Sequence, residues 1–419
     1  MLTAVKGMND LLPPESAKWG HVERAARDLF ERHGYREIRI PIVERTSLFV
    51  RSVGEVTDIV EKQMYTFDDR DETSITLRPE GTAGVVRAYV EHAVAKKEPV
   101  SRWYYMGPMF RRERMQRGRY RQFYQIGVEA LGVAEPTIDA EQVAMLHTLF
   151  TDLGVENVDA LVNNLGGPED RPAYRAALVA YFEPYRDELC EDCRRRLDKN
   201  PLRILDCKVP RDKEIAAGAP ATIDYLGEAS KKHFDGFQAA LAALGVPFRV
   251  DPRLVRGFDY YTGTLYELQS TGGDLGAQNT LCGGGRYDLL VEELGGPATP
   301  AVGFAMGLDR IILTLPGDPE NFDPPLDVFL AAHGDAARLR CLTLAHALRR
   351  AGWRAEIDHR AGSMKAQLKR ADRLRARAVV IIGDDELAAG TVAIKDMAAG
   401  AQTVVPQTEL EAALRRLLR

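Results

Sequence analysis

Between residues 315 and 325 the chain reads Leu-Pro-Gly-Asp-Pro-Glu-Asn-Phe-Asp-Pro-Pro, a run that continues neither a helix nor a central strand, because each proline lacks a backbone donor. A domain boundary is expected there, with residues 1–325 before it and 326–419 after it. The two sides differ in charge: from Leu326 onward, 16 Lys and Arg against 11 Asp and Glu leave +5, whereas the whole chain carries -5. At 419 residues the chain is long enough for two or three cores. No apolar run spans a bilayer, and Met1-Leu2-Thr3-Ala4-Val5-Lys6 does not read as a cleavable leader, so a cytoplasmic protein without membrane attachment is expected. Of the five cysteines, Cys190, Cys193 and Cys207 are grouped while Cys282 and Cys341 stand apart, which is no disulfide framework and fits a reducing compartment.

Within residues 1–325 the pattern alternates helices with short strands. Pro13, Pro14, Glu15 and Ser16 stop an extended segment and open an amphipathic helix expected to reach Arg32 or His33, closed by Gly34. Residues 35–41 alternate as a strand whose Pro41 cannot donate to a ladder, which puts it at a sheet edge or where another chain approaches. Residues 63–67 and 74–77 read as a hairpin around an acidic turn. It delivers Arg78-Pro79-Glu80-Gly81-Thr82, where Glu80 and Thr82 suit either a helix N-terminus or a cationic or imidazole ligand.

Two aromatic strands are expected at 103–111 and 123–131, joined by the loop Arg-Glu-Arg-Met-Gln-Arg-Gly-Arg-Tyr-Arg. Polar residues four apart share a strand face, so Gln125 and Glu129 point the same way. The loop's five arginines, Arg117 and Arg119 among them, suit either a solvated hairpin tip or a polyphosphate or RNA backbone. Residues 132–150 read as helix, and about 166–232 as a mostly helical insertion. Cys190 and Cys193 have metal-ligand spacing and Cys207 offers a third thiol, but no fourth ligand is evident, so plain thiols and no protein-held metal are expected.

Residues 254–261, Leu-Val-Arg-Gly-Phe-Asp-Tyr-Tyr, set one arginine and an aromatic pair before an alternating strand at 262–268. Residues 281–288, Leu-Cys-Gly-Gly-Gly-Arg-Tyr-Asp, give backbone without side chains beside polar groups, either a glycine-rich hairpin or a bed for a flat ligand. Residues 300–312 read as a buried strand running into a helix, with Gly303 and Gly307 permitting close approach and Arg310 on the first helical turn. Neither Gly-x-x-x-x-Gly-Lys-[Ser/Thr] nor Gly-x-Gly-x-x-Gly occurs. A nucleotide would have to be gripped by dispersed arginines, Arg111, Arg256 and Arg310, on a mixed antiparallel sheet. Beyond residue 326, strands at 327–332, 354–357, 378–382 and 391–394 alternate largely with helices. The helix at 363–377 carries Lys365, Lys369, Arg370, Arg373, Arg375 and Arg377, a basic face suited to RNA phosphates or to solvent.

Phe110-Arg111-Arg112-Glu113 with its arginine-rich loop resembles the second signature of class II aminoacyl-tRNA synthetases. Residues 303–310 resemble the third, and the segment ending at Pro41 the first. Residues 254–261 and 283–288 resemble the two signatures specific to histidyl-tRNA synthetases. The likeness covers nearly the whole chain in the family's order, with Asp309 where Glu is common and Arg112 where His is frequent.

This resemblance implies an α+β fold: a class II synthetase-like antiparallel sheet with helices over residues 1–325, a helical insertion, and a C-terminal α/β anticodon-binding domain over 326–419. The implied reaction is ATP-dependent activation of L-histidine to histidyl-adenylate and transfer to tRNA(His), with Mg2+ bridging the outer phosphates of ATP and the chain acting as a homodimer. Carried over residue by residue, Arg111 would hold the α-phosphate and the substrate carboxylate, Arg256 the α-phosphate from the other side, and Arg310 the γ-phosphate. Phe123 and Arg310 would enclose adenine, with Glu113 near its amino group. Glu80, Thr82, Gln125 and Glu129 would bind histidine's ammonium and ring beside Arg111 and Arg256, with Tyr260 and Tyr261 closing on the imidazole. Arg117 and Arg119 are candidates for tRNA contact, and no editing domain is expected. A non-catalytic regulatory subunit of ATP phosphoribosyltransferase shares the fold but typically lacks the Arg256-type signature and the basic tail domain.

Overall fold

The structure, a computed structural model, describes residues 2–54, 57–272, 279–360 and 362–418. It divides into two units, Met1–Pro319 and Glu320–Arg419, and the division falls inside the proline-rich run. The strands of the first unit are β1 (Arg36–Glu37), β2 (Val43–Arg45), β3 (Tyr65–Asp68), β4 (Ser74–Leu77), β5 (Ser101–Phe110), β6 (Gln122–Leu131), β7 (Val158–Asn164), β8 (Phe248–Val250), β9 (Thr262–Ser270), β10 (Thr280–Arg286) and β11 (Ala301–Gly307). Eight of them form one sheet in the order β1-β5-β6-β11-β10-β9-β7-β8. It is antiparallel through the middle and parallel only at its edges, where β1 runs beside β5 and β8 beside β7. Strands β2, β4 and β3 make a small antiparallel sheet that carries the expected hairpin.

The first helix, Glu15–Arg32, ends as expected, with Gly34 in the left-handed region at φ 78°. The strand after it is shorter than the sequence suggests. Pairing with β5 covers Arg36 and Glu37, and one further bond runs from Ile38 N–H to Tyr104 O, before Pro41 forecloses extension. Its edge position is as expected. The triple glycine is not in a turn: it lies within β10, which pairs antiparallel with the preceding strand β9 and sits inside the sheet between β9 and β11.

The side-chain period of two explains why the same strands make both the core and the site. Ile126, Val128 and Ala130 of β6 and Val302, Phe304 and Met306 of β11 face one way, joined by Tyr266 and Leu268 of β9. They pack with Trp19, Val22, Ala26 and Phe30 of the first helix and with Val143, Leu146 and Phe150 of the helix Pro136–Asp152. Each large side chain buried there stabilises the fold by about 1.5–3 kcal/mol. The alternate positions, Gln125, Gly127 and Glu129 on β6, Gly303, Ala305 and Gly307 on β11, and Gly283 on β10, face the other way. That face is therefore a floor almost bare of side chains.

After β7 the chain leaves the sheet to form the helices Arg171–Phe182, Glu191–Lys199 and Pro210–Ala216, which share a separate core around Leu178, Phe182, Leu197 and Ile204. The insertion expected over 166–232 gives way earlier to the helix Glu228–Ala243, whose Phe234, Phe237 and Leu241 belong to the main core.

In the second unit β12 (Val328–Ala332), β13 (Ala355–Ile357), β14 (Ala378–Ile382), β15 (Thr391–Asp396) and β16 (Gln402–Pro406) pair in the order β13-β12-β14-β15-β16. The first three are parallel and the last two antiparallel. β16 is not legible in the sequence, being a largely exposed edge strand that ends on a proline. The sheet is covered on both faces. Val328, Leu330 and Val380 pack with Cys341 and Leu348 of the helix Asp335–Arg350, and Phe329 and Val379 with Ala371 of the helix Met364–Arg373. No described helix is long and apolar enough to cross a membrane.

Candidate active site

Above the bare floor opens a hollow of about 760 Å3. Three arginines reach it from separate elements. Arg111, just past the end of β5, donates from Nε to Pro79 O at 2.9 Å, and its guanidinium lies 5.1 Å from the Phe123 ring and 5.9 Å from the Phe258 ring. Burial holds its pKa below the usual arginine value. Arg310, on the first turn of the helix Leu308–Thr314, donates from Nη1 to Thr280 O at 2.8 Å and from Nε to Gly118 O at 3.3 Å. Burial first, and the neighbouring Arg119 second, push its pKa down to about 10.

Arg256 is held differently. Its Nη1 donates to Glu267 Oε2 at 2.5 Å, and although burial, the largest single influence, works against its charge, Glu267 together with Tyr261, Cys282 and Tyr260 raises the pKa. The guanidinium occupies the space over Gly283, where an added Cβ would sit 2.1 Å from Nη2. Its buried Nε has no partner among the described residues. A buried donor left unpaired costs free energy unless a ligand accepts from it, and two depressed arginine pKa values in the same hollow mark a place that gains by receiving an anion.

At the other end the hollow turns polar and aromatic. Glu80 accepts from the backbone N–H groups of Thr82 and Ala83 at 2.7 and 2.8 Å, so it does cap the helix Thr82–Glu91 while also lining the hollow. Burial nevertheless raises its pKa. Thr82 Oγ1 donates to Glu129 Oε1 at 2.7 Å, and the Tyr287 hydroxyl donates to Glu129 Oε2 at 2.5 Å. Burial pushes the Glu129 carboxyl up to about 8, against the pull of those two hydrogen bonds. Gln125 Oε1 is buried without a donor among the described residues. Tyr260 packs 4.7 Å from Tyr261 and 5.7 Å from Tyr287, ring to ring, and stacks on Phe258 at 5.1 Å. Tyr105 fits between Gly81 and Gly127, where a Cβ would stand 2.3 and 2.2 Å from its ring.

Of the residues singled out in the sequence, Glu80, Thr82, Arg111, Glu113, Arg119, Phe123, Gln125, Arg256, Tyr260, Tyr261 and Arg310 all line this one hollow. Glu129 does not. It is fully buried behind the wall, bonded to the lining residues Thr82 and Tyr287. Arg117 and Arg119 also part company: Arg117 is exposed on its loop, whereas Arg119 turns inward and donates to Glu113 Oε2 at 3.1 Å. Sequence reasoning misses Glu267, whose signal is a carboxylate alternating with apolar residues in an interior strand, a place that demands a cation. It also misses Lys208 and Lys213, which the insertion brings to the hollow's rim.

The family model described as histidyl-tRNA synthetase matches residues 7–166 and 205–311, and the one described as anticodon binding domain matches residues 327–417. A histidine–tRNA ligase of Trichlorobacter lovleyi is 51% identical over 98% of this chain and 97% of its own length. One from Geobacter sulfurreducens is 49% identical over 99% and 100%. The crystal structure of apo histidyl-tRNA synthetase from S. aureus superposes with a TM-score of 0.83 at 39% identity, covering 100% of both chains. With the signatures of residues 254–261 and 283–288 meeting at one hollow, and with matches that span both units, this chain belongs to the histidyl-tRNA synthetase family.

Proposed function

We propose that this chain activates L-histidine with ATP and transfers it to tRNA(His), releasing pyrophosphate and then AMP. The observation that carries the reading is the convergence of Arg111, Arg256 and Arg310 on one hollow that continues into a tyrosine-walled end. In the first step a carboxylate oxygen of histidine attacks the α-phosphorus of ATP, an oxygen–phosphorus bond forms, and the bond to the pyrophosphate leaving group breaks. In the second, the terminal ribose hydroxyl of the tRNA attacks the activated carbonyl, and AMP departs. Both steps call for alignment and charge stabilisation rather than a protein nucleophile. Arg111 and Arg256 flank the α-phosphate, Arg310 takes the γ-phosphate, and Phe123 and Arg310 enclose adenine near Glu113.

Histidine's ammonium is received by Glu80, Thr82 and the unpaired Gln125 Oε1, with Glu129 supporting them from behind. Tyr260 and Tyr261 close on the imidazole. Mg2+ would supply charge neutralisation at the outer phosphates of ATP; Glu113 and Glu267, the carboxylates nearest the three arginines, are each paired with guanidinium groups, so the ion would be held mainly by the nucleotide. The chain works as a homodimer in the cytoplasm, using the β1 edge and the exposed Ile42 and Val43 that follow it as the dimer face.

Histidine-dependent ATP–pyrophosphate exchange tests the reaction. A pocket that pairs polar substrate groups rejects analogues lacking them by about 10⁴–10⁵, so exchange is expected with histidine and to that extent absent with the other amino acids. Equal exchange with several amino acids, or none with histidine, removes the reading and leaves a non-catalytic binding module.

The second unit narrows the expected basic face. Arg370 donates to Glu356, Arg375 to the carbonyls of Glu320 and Asp323, and Arg377 lies 3.7 Å from Asp327. Lys365, Lys369 and Arg373 remain exposed and, spaced four apart, form one stripe along the helix Met364–Arg373. Changing all three to Glu is expected to weaken tRNA binding and flatten its salt dependence, while pyrophosphate exchange without tRNA stays unchanged. Unaltered tRNA affinity over a salt series would assign the stripe to solvent alone.

A further inference from the structure

The insertion holds a constellation that the proposed reaction does not use. The sequence offers three thiols without a fourth ligand, and the fold supplies one: Asp212, on the first turn of the helix Pro210–Ala216. The sulfurs of Cys190, Cys193 and Cys207 and a carboxylate oxygen of Asp212 all lie within 4.8 Å of one another. Cys190 Sγ is 3.9 Å from Cys207 Sγ, and Cys207 Sγ is 3.2 Å from Asp212 Oδ2. A tetrahedral Zn2+ with bonds of about 2.3 Å to sulfur and about 2.0 Å to oxygen spaces its sulfurs about 3.8 Å apart and sulfur from oxygen about 3.5 Å. The four side chains are thus within about 1 Å of a closed tetrahedral set.

Burial makes the aspartate the telling member. Asp212 is 0% exposed, and among the described residues no Lys, Arg or His forms an ion pair with it. Its bonding partners are the N–H of Cys190, at 3.2 and 3.3 Å from its two oxygens, the Cys207 thiol at 3.2 Å, and the Cys190 and Cys193 thiols. The carboxylate is thus withdrawn from water into a ring of three thiols, with acceptor oxygens and sulfurs converging where a cation would pair with all four. The sulfurs in turn are provided with donors: Cys193 N–H reaches Cys190 Sγ at 3.4 Å, Val209 N–H reaches Cys207 Sγ at 3.5 Å, and Arg196 Nη1 stands 4.0 Å from Cys193 Sγ. Backbone donors of this kind orient thiolate ligands. A purely apolar thiol cluster would need neither the carboxylate nor the donors.

We propose that Cys190, Cys193, Cys207 and Asp212 bind one Zn2+ as a closed, structural site. Thiolates select Zn2+ over Mg2+ or Ca2+, and four protein ligands leave no open position for catalysis. Binding displaces the thiol protons. The need for a staple follows from size, because a small helical unit built around a handful of buried residues gains little from its core alone. The consequence for the rest of the protein follows from adjacency: Lys208 and Lys213 each follow a ligand directly in the chain and line the active-site hollow, so the metal would fix the segment of the insertion that borders it.

The test is metal content and ligand-field spectroscopy on the full-length chain, purified with a reductant and without a chelator. One equivalent of zinc per chain is expected. Cobalt supplied in its place should give tetrahedral d–d bands and a thiolate-to-cobalt charge-transfer band that saturate at one ion per chain. Cys207→Ser is expected to lose the zinc, and Asp212→Asn to give it up to a competing chelator that the parent protein withstands. Cys341→Ser, in the other unit, should change neither. No zinc above background together with no charge-transfer band overturns the proposal, as does a Cys190–Cys207 disulfide in the protein isolated under reductant. Both of these results come from the unsubstituted chain, so they do not depend on whether a variant folds, and they stand apart from the outcome of the exchange assay.

Discussion

Arg256→Ala is expected to slow histidine-dependent pyrophosphate exchange by about 10²–10³-fold, the range found when one preorganised charge donor is removed from a developing oxyanion. Histidine binding should largely persist, because Glu80, Gln125 and the tyrosine wall are untouched. The reason for choosing this arginine lies in its surroundings. Arg111 and Arg310 each spend donors on backbone carbonyls, whereas Arg256 is anchored by a single carboxylate and keeps a buried Nε unpaired. Truncation also strands Glu267, whose side chain is only 10% exposed, and an uncompensated buried charge can cost about 3–5 kcal/mol of stability. The double variant Arg256→Ala/Glu267→Gln separates the two effects. It should recover thermal stability and leave exchange as slow as in the single variant. Exchange at the parental rate in a folded Arg256→Ala protein would remove the arginine from the chemistry.

How much of this is legible in the sequence depends on the range of the physics involved. The period-two strands, the helix closed by Gly34 and the division at the proline run are local, and the sequence displays them. The cross-strand partners are not local. That Gly283 pairs with Glu267 on one side and Ala305 on the other follows from sheet register, which fixes what stands over the glycine and cannot be read from either strand alone. The same limit hides Asp212 from the cysteines, whose ligand cluster closes only when two helices dock, and it hides the inward turn of Arg119. Glu129 shows a subtler failure. Its face follows from its spacing to Gln125, but the floor dips beneath it, because Gly303 opposite has no side chain and the carboxylate fills that space.

The glycines at 283 and 284 should fail in opposite ways when changed to alanine. At Gly283 the three atoms an added Cβ would meet, at 2.1, 2.3 and 2.5 Å, all belong to the Arg256 guanidinium, the far end of a flexible side chain. The strand need not move, and alanine in an extended strand recovers about 0.5–1 kcal/mol of backbone entropy relative to glycine. Gly283→Ala is therefore expected to keep the Arg256–Glu267 ion pair and fold with a denaturation midpoint close to that of the parent, yet to lose exchange activity almost as deeply as Arg256→Ala, about 10²-fold, because the guanidinium, still paired, is shifted from the place proposed for the α-phosphate. At Gly284 the added Cβ would lie 2.5 Å from the backbone oxygen of Gly303, 2.6 Å from the Tyr266 ring and 2.7 Å from the Phe304 Cβ. There the packed core must give way, so Gly284→Ala is expected to cost about 1–3 kcal/mol or more, lowering the urea midpoint. Two adjacent residues on one strand then report the two faces of the sheet separately, one through rate and the other through stability. Full exchange activity in a folded Gly283→Ala protein would mean that the Arg256 guanidinium does not need the place above that glycine, and the assignment of the α-phosphate to it would have to be given up.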